Sequence, residues 1–188
     1  MSERFTEALV YAAETHRNQV RKGSGIPYFS HLMAVAALVL ENGGGETEAM
    51  AALLHDAVED QGGAPRLNAI REKFGATVAE IVAGCTETLI DPALEWEERK
   101  RRHLLDLSQS GAAILLVSAA DKLHNARTVL DDYRELGEEL WPRFSRGKQG
   151  ILWYYRASVA AFREAGAPAR IVNELERVLA ELEALAGD

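Results

Sequence analysis

The hydrophobic and polar positions of the chain divide it into helix-like segments joined by short loops. Alternating patterns typical of strands are scarce, and alanine and leucine dominate the long segments. Proline and glycine fall at the junctions, where they are tolerated. The pattern predicts an all-α fold with helices over 3–19, 30–42, 46–61, 65–74, 76–88, 94–108, 111–130, 142–165 and 168–186. The segment 131–141 is predicted as either a loop or a short helix.

The last of these segments carries a narrow apolar seam. Its members follow a 4-3-4-3 spacing along one helical face, and they are Ile171, Leu175, Val178, Leu182 and Leu185. Packing against the rest of the same domain is the favoured interpretation. The alternative is a homodimer, in which a second copy of the chain covers the seam.

Composition sets the class of protein. With 188 residues, of which 47% are hydrophobic and 27% charged, the sequence is typical of one globular domain over 1–188, and disorder is excluded as its main state. No apolar run approaches the roughly 20 residues of a membrane span, so no membrane partner is expected. The acid-containing N-terminus does not resemble a secretory signal, and the single Cys85 favours a reducing compartment. A cytoplasmic location is therefore expected.

The charge balance narrows the choice of partner. A net charge of −8 argues against a broad basic surface that coats nucleic acid, and no nucleic-acid partner is expected. It is compatible with a small basic pocket for a phosphorylated ligand. Cys85 is interpreted as a small buried hydrophobe rather than a nucleophile.

The segment AMAALLHDAVEDQ carries its acidic residues on one side of a predicted helix. At about 100° per residue, one helical face is apolar, and the opposite face carries His55, Asp56, Glu59 and Asp60. Three carboxylates so close together repel each other unless a cation neutralises them, and this face has no lysine or arginine. A bound metal ion is the favoured interpretation, and an acidic surface stripe is the alternative.

A second polar group follows the uncharged stretch 111–120, which is predicted to enter the core. Asp121 then arrives in mid-helix, where a buried carboxylate is costly unless it is paired or bound to a metal. Asn125 lies one turn later on the same face. His124 shares that face only partly and is interpreted as a hydrogen-bonded core histidine.

His31 and the loop before it add further candidates. Together with His55, Asp56 and Asp121, His31 would complete a nitrogen and oxygen ligand set that suits manganese, iron or zinc. In the loop RKGSGIPY, Arg21 and Lys22 are adjacent cations suited to phosphate oxygens, and Tyr28 could stack on a base. A solvated basic turn is the alternative. The basic run Arg99–Arg102 spreads around a helix, so most of it is expected on the surface.

Three segments in this order, HRNQVRKGSGIPYFSH, AALLHDAVED and AADKLHNART, resemble the HD superfamily of metal-dependent phosphohydrolases. More narrowly, they resemble the hydrolase domain of RelA/SpoT proteins and its stand-alone relatives, the small alarmone hydrolases of the metazoan SpoT homologue type. The resemblance is clear over residues 5–130 and looser beyond. It implies a bundle of about eight to ten helices with a metal site between helices.

The resemblance also implies an activity and roles for individual residues. The activity is manganese-dependent hydrolysis of the 3′-pyrophosphate of ppGpp or pppGpp to GDP or GTP, and other divalent ions are compatible with the ligand set. The metal would be held by His31, His55, Asp56 and Asp121, and Glu59 and Asp60 would act on the attacking water. The small-molecule nucleotide would be bound by Arg21, Lys22, Asn125, Lys100 and Tyr154.

Two alternatives stay open on the sequence. The first is an HD-type phosphohydrolase acting on another nucleotide, such as a ppApp-type alarmone, the 2′-phosphate of NADPH or a nucleoside monophosphate. The second is a non-catalytic nucleotide-binding module, which the presence of all four candidate ligands and both acids disfavours. No synthetase segment or regulatory domain is evident, so a bifunctional enzyme is not expected. The segment after residue 131 looks longer than in the animal relatives, which leaves base preference open.

Overall fold

The computed structural model describes residues 1–87 and 93–187, and these ranges form an all-α fold, as predicted. The ten α-helices are α1 (Glu3–Thr15), α2 (Phe29–Glu41), α3 (Glu46–Leu54), α4 (Ala57–Gln61), α5 (Gly63–Phe74), α6 (Ala76–Cys85), α7 (Trp96–Ser108), α8 (Ala112–Leu136), α9 (Gly147–Glu164) and α10 (Ala169–Ala186). A 3₁₀ helix spans Gly137–Arg143. None of the helices in the described ranges has the length and hydropathy that crossing a membrane requires.

Helix α8 lies at the centre of the bundle and packs against α2, α3, α6, α9 and α10. The stretch from Leu115 to Ala120 is buried, which confirms the prediction that the uncharged segment enters the core. Leu123 and Ala126 continue the buried face in the next turn. Asp121 is therefore carried into the interior by the apolar residues on both sides of it.

The predicted helix 46–61 is wrong in one respect, because it is interrupted. Helix α3 ends at Leu54 and α4 begins at Ala57, so that His55 and Asp56 form the turn between them. The backbone of Asp56 has φ −92° and ψ −5°, in the sparsely populated bridge region where many active-site residues lie. The four polar residues of this segment therefore do not share one regular helical face.

Other predicted boundaries also shift. Helix α1 ends at residue 15 rather than 19, and the predicted end at residue 88 lies outside the described residues. The segment 131–141 is helical throughout, because α8 continues to Leu136 and the 3₁₀ helix follows. The first helix-breaking residue after Asp121 is Gly137, whose φ of +56° favours glycine. Helix α9 consequently starts at Gly147, five residues later than the predicted start at 142.

The apolar seam of α10 packs mainly inward, against α8 and α9 of the same chain. Four of its five members are buried, whereas the side chain of Leu185 is 50% exposed. The favoured interpretation of intradomain packing is confirmed for those four. Ala186 takes the buried position at the end of the helix.

We expect Leu175→Ala to lower the free energy of unfolding by about 2–5 kcal/mol, because Leu175 is fully buried and the surroundings fill the cavity only partly. Leu185→Ala removes the same atoms from an exposed position of the same helix. It should change the free energy of unfolding by less than about 0.5 kcal/mol. Urea denaturation followed by circular dichroism measures both values. Equal losses in the two variants would contradict the packing described for α10.

Candidate metal centre and adjoining cleft

The four predicted ligand residues meet where α2, the turn between α3 and α4, and α8 converge. His31 Nε2 lies 3.4 Å from Asp56 Oδ2 and 3.2 Å from Asp121 Oδ1. His55 Nε2 lies 3.0 Å from Asp56 Oδ2 and 3.6 Å from Asp121 Oδ1. His31, His55 and Asp56 alone offer three ligand atoms within 4.8 Å of one another.

The ring nitrogens of both histidines fit a divalent metal ion. His31 Nε2 and His55 Nε2 are buried and form no hydrogen bond within the described part of the chain. The opposite nitrogen of His55 donates to the Ala52 carbonyl oxygen at 2.8 Å, which leaves the Nε2 lone pair available. Two such lone pairs facing two carboxylates form a donor set that manganese, iron or zinc accepts.

His124 completes the surroundings of His31. The two Nδ1 atoms lie 2.8 Å apart, so one ring donates to the other. Burial and the neighbouring His31 lower the pKa of His124 to about 4, and the ring is therefore neutral at pH 7. With His124 as acceptor, His31 keeps its proton on Nδ1 and directs its Nε2 lone pair toward the carboxylates. The hydrogen bond predicted for His124 is thus present, as an orienting contact to a candidate ligand, but the residue is half-buried and does not lie in the core.

Further contacts fix the two aspartates. Tyr28 donates its hydroxyl to Asp56 Oδ2 at 2.6 Å, and its ring stacks on His16 with centroids 5.5 Å apart. Asn125 donates to Asp121 Oδ1 at 2.5 Å. Although burial opposes it, the adjacent Lys122 ammonium holds the pKa of Asp121 well below its usual range. Both carboxylates are therefore oriented before any ion binds.

The two acids assigned to the attacking water occupy different positions. Glu59 lines a cavity of about 160 Å³ together with Asp56 and Asp121, and its Oε2 accepts the Glu87 backbone N–H at 3.2 Å. Partial desolvation and the charges of Asp56 and Glu87 raise the pKa of Glu59. Asp60 does not line this cavity, and its Oδ2 accepts from Gln19 Nε2 at 2.7 Å. Of the two, Glu59 faces the candidate metal cluster.

A larger cleft of about 430 Å³ adjoins the metal cavity. All five residues predicted to bind substrate line it, and they are Arg21, Lys22, Lys100, Asn125 and Tyr154. Arg21 Nη2 donates to Asn125 Oδ1 at 2.9 Å, and Asn125 in turn contacts Asp121. The loop before α2 is thereby connected to the metal cluster through one amide side chain.

The far wall of the cleft comes from α7 and from the chain after residue 143. It is aromatic, with Trp96, Phe144, Tyr154 and Tyr155 among its members. The Arg146 guanidinium lies 5.8 Å from the Trp96 ring centroid. Flat aromatic and guanidinium surfaces of this kind stack on nucleobases.

The basic run of α7 separates into surface and site residues, as expected. Arg101 and Arg102 pair with Glu97 and Glu98 one turn earlier on the exposed face. Lys100 points into the cleft, where its ammonium is paired with Glu87 and lies 4.7 Å from the Tyr154 ring centroid.

Several residues of the site carry no sequence prediction. Lys122 lies inside the segment AADKLHNART, but the sequence predicts no role for it. The sequence pattern also gives no chemical signal at four other lining residues, which are Glu87, Trp96, Phe144 and Arg146. The sequence predicts that Cys85 is buried, whereas the structure shows it half-buried and lining the metal cavity. Burial nevertheless raises the pKa of its thiol, and Ser118 Oγ lies 3.4 Å from its Sγ. A raised pKa disfavours the nucleophilic thiolate.

Comparison with known families decides the classification, because the HD domain family matches residues 8–152. The chain belongs to the HD domain family. GTP pyrophosphokinase rsh of Brucella melitensis is 37% identical over 129 residues, which make up 66% of the chain but only 17% of that protein. The chain thus covers about one sixth of this relative.

Shorter relatives match over more of their length. Guanosine-3′,5′-bis(diphosphate) 3′-pyrophosphohydrolase MESH1 of Danio rerio is 40% identical over 125 residues, covering 64% of the chain and 66% of that protein. The Drosophila melanogaster protein of the same name is 36% identical over 133 residues, covering 67% and 69%.

Solved structures show the same fold. One, described as a metazoan ortholog of SpoT that hydrolyzes ppGpp and plays a role in starvation responses, matches with a TM-score of 0.78 and 28% identity over 96% of both chains. The crystal structure of lmo0812 from Listeria monocytogenes EGD-e matches with a TM-score of 0.71 and 28% identity, covering 84% of this chain and 99% of the other. The all-α HD architecture is thereby established for this chain.

We expect Asp121→Ala to weaken Mn²⁺ binding by about 100-fold or more, because it removes a carboxylate and leaves the two histidine nitrogens with a single acidic partner. Asp131→Ala is the matched control, since Asp131 lies on the same helix but is exposed and pairs with Arg134 at 2.7 Å. Electron paramagnetic resonance of free Mn²⁺ measures both affinities. Unchanged binding in Asp121→Ala would exclude Asp121 as a ligand.

Proposed function

We propose that the chain is a metal-dependent guanosine-3′,5′-bis(diphosphate) 3′-pyrophosphohydrolase, which converts ppGpp to GDP and pppGpp to GTP, with Mn²⁺ as its ion. The observation that carries this proposal is the direct connection between the two cavities. Five residues line both the metal cavity and the cleft, and they are Tyr28, Lys100, Lys122, Asn125 and Tyr154. The names of the MESH1 relatives and the description of the SpoT ortholog support the same substrate.

The chemistry of the cleft matches a nucleotide that carries phosphate at two places. A guanine base would stack against the aromatic wall near Trp96 and Arg146, while Arg21 and Lys22 supply charge for phosphate oxygens. The 3′-pyrophosphate would then extend into the region shared by the two cavities. The scissile bond would then lie beside Glu59 and the candidate metal ligands.

The proposed reaction is hydrolysis of the bond between phosphorus and the ribose 3′ oxygen. A bound divalent ion would supply Lewis-acid activation of water and of the phosphoryl group. Glu59 would accept the proton of the attacking water, and its raised pKa suits a group that holds this proton transiently. The 3′ oxygen leaves with a proton as a hydroxyl group, and pyrophosphate is released intact. Asp60 lies outside the cavity and is held by Gln19, so a part for it in proton transfer would act at a distance from the attacking water.

The remaining parts of the proposal concern partners and location. The interacting molecule is proposed to be a small nucleotide, because five cationic side chains line one cleft of a chain with net charge −8. The net charge also argues against a nucleic-acid partner, and we propose a cytoplasmic location from the sequence features given above. A homodimer is not required for the site, since every residue assigned to it comes from one chain.

We expect the purified protein with Mn²⁺ to convert ppGpp to GDP and intact pyrophosphate, identified by ion-exchange chromatography. Two molecules of orthophosphate in place of pyrophosphate would contradict the bond assigned to cleavage. Absence of turnover with metal bound would exclude this substrate. A panel containing a ppApp-type alarmone, NADPH and a nucleoside monophosphate would then identify another nucleotide, and failure of the entire panel would favour a non-catalytic module.

We expect Glu59→Gln to lower kcat by about 10²–10⁴-fold, because the amide cannot accept the proton of the attacking water. Mn²⁺ affinity should stay within about threefold of the wild-type value, since Glu59 is not assigned as a ligand. The exposed Glu80 of α6 gives the control variant Glu80→Gln, which should retain full turnover. Near-normal kcat in Glu59→Gln would refute the assignment of Glu59 as the base.

A further inference from the structure

Lys122 is the residue that follows Asp121 on α8, and it lines both the metal cavity and the cleft. Only 15% of its side chain is exposed. An ammonium group that is largely withdrawn from water requires compensating partners. Lys122 Nζ pairs with Asp121 Oδ2 at 2.5 Å, whereas the other oxygen of this carboxylate, Oδ1, is the one that lies near the His31 nitrogen.

The second partner of Lys122 is an aromatic ring. Its Nζ lies 5.7 Å from the Tyr154 ring centroid, and Lys100 Nζ lies 4.7 Å from the same centroid. A cation within about 6 Å of a ring centroid is attracted by the ring electrons. Tyr154 thus holds two lysines at the junction of the two cavities.

The two lysines differ in how their charge is compensated. Lys100 forms an ion pair with the Glu87 carboxylate, which Arg99 also contacts, and Glu87 is not among the candidate metal ligands. Lys122 instead shares its carboxylate with the metal cluster, through Asp121. When Asp121 acts as a metal ligand, its negative charge is divided between two cations. Lys122 then retains positive charge for a further anion.

We propose that Lys122 binds the pyrophosphate group of the substrate directly, as a phosphoryl-binding cation at the junction between the metal cavity and the cleft. This assignment rests on the proposed function for the identity of the nucleotide. It requires only that a phosphorylated group spans the two cavities. The competing interpretation is that Lys122 is a positioning residue that acts solely through the orientation of Asp121.

The test compares Lys122→Met, which removes the charge at similar length, with Lys122→Arg, which keeps it. Lys122→Gln serves as a second neutral variant in case the methionine variant does not fold. The matched control is Lys73→Met, because Lys73 also lies over an aromatic ring, 5.9 Å from the Phe74 centroid, but is exposed and lines neither cavity. Mn²⁺ affinity is measured first, by electron paramagnetic resonance.

Inorganic pyrophosphate is then titrated into each protein at one fixed concentration of free Mn²⁺. Binding is followed by the intrinsic fluorescence of tryptophan, since Trp96 lines the cleft. We expect pyrophosphate to bind Lys122→Met at least about 10-fold more weakly than wild type, as for a lost charge-assisted hydrogen bond. Mn²⁺ affinity should remain within about threefold, and Lys122→Arg should recover most of the pyrophosphate affinity.

Two results would overturn the proposal. Unchanged pyrophosphate affinity in both neutral variants would show that Lys122 does not contact the phosphoryl group. A fall in Mn²⁺ affinity that accounts for the whole loss of pyrophosphate binding would assign Lys122 to the positioning of Asp121 alone. Neither measurement depends on turnover, so failure of the wild-type protein to hydrolyse ppGpp would refute the proposed substrate and leave the outcome for Lys122 separately readable.

Discussion

The concentration of negative charge beside two unpartnered ring nitrogens is the constraint on which the site depends. Asp56 and Asp121 approach His31 and His55 in a part of the fold where water is largely excluded. Lys122 pairs with Asp121, but the two carboxylates repel each other, and among the described residues neither Nε2 atom has a hydrogen-bond donor, so the arrangement favours a further cation. A divalent ion would satisfy both requirements at once, which would link the stability of the site to the chemistry proposed for it.

Helix α8 couples the core to this site. Its apolar turns before and after Asp121 pack against five other helices, and this packing determines where the carboxylate lies. The same helix brings Lys122 and Asn125 to that carboxylate and His124 to the ring of His31. Because one rigid element positions four polar groups, small shifts of a surrounding loop have little effect on their relative geometry.

The sequence predicted the fold class, the uncharged core segment and the residues that meet at the metal cluster. These features follow from periodicity, from the cost of burying charge and from motif resemblance, all of which are expressed locally along the chain. The sequence did not predict the break at His55 and Asp56 or the continuation of α8 to Leu136, because both depend on contacts with distant segments. Apart from Tyr154, the aromatic wall was missed for the same reason, since Trp96 and Tyr155 come together through the packing of α7 and α9.

The break between α3 and α4 has a consequence for how the chain binds an ion. On a regular helix, neighbouring side chains leave the axis about 100° apart, which does not favour a shared contact point. At the turn between α3 and α4, the Asp56 backbone departs from ideal helical values, and His55 Nε2 lies 3.0 Å from Asp56 Oδ2. Two adjacent residues would therefore act as a chelating unit, whose second donor needs no further loop closure and none of its entropy cost. The His55–Asp56 dipeptide would therefore contribute to the site through its backbone conformation as well as through its two candidate ligand atoms.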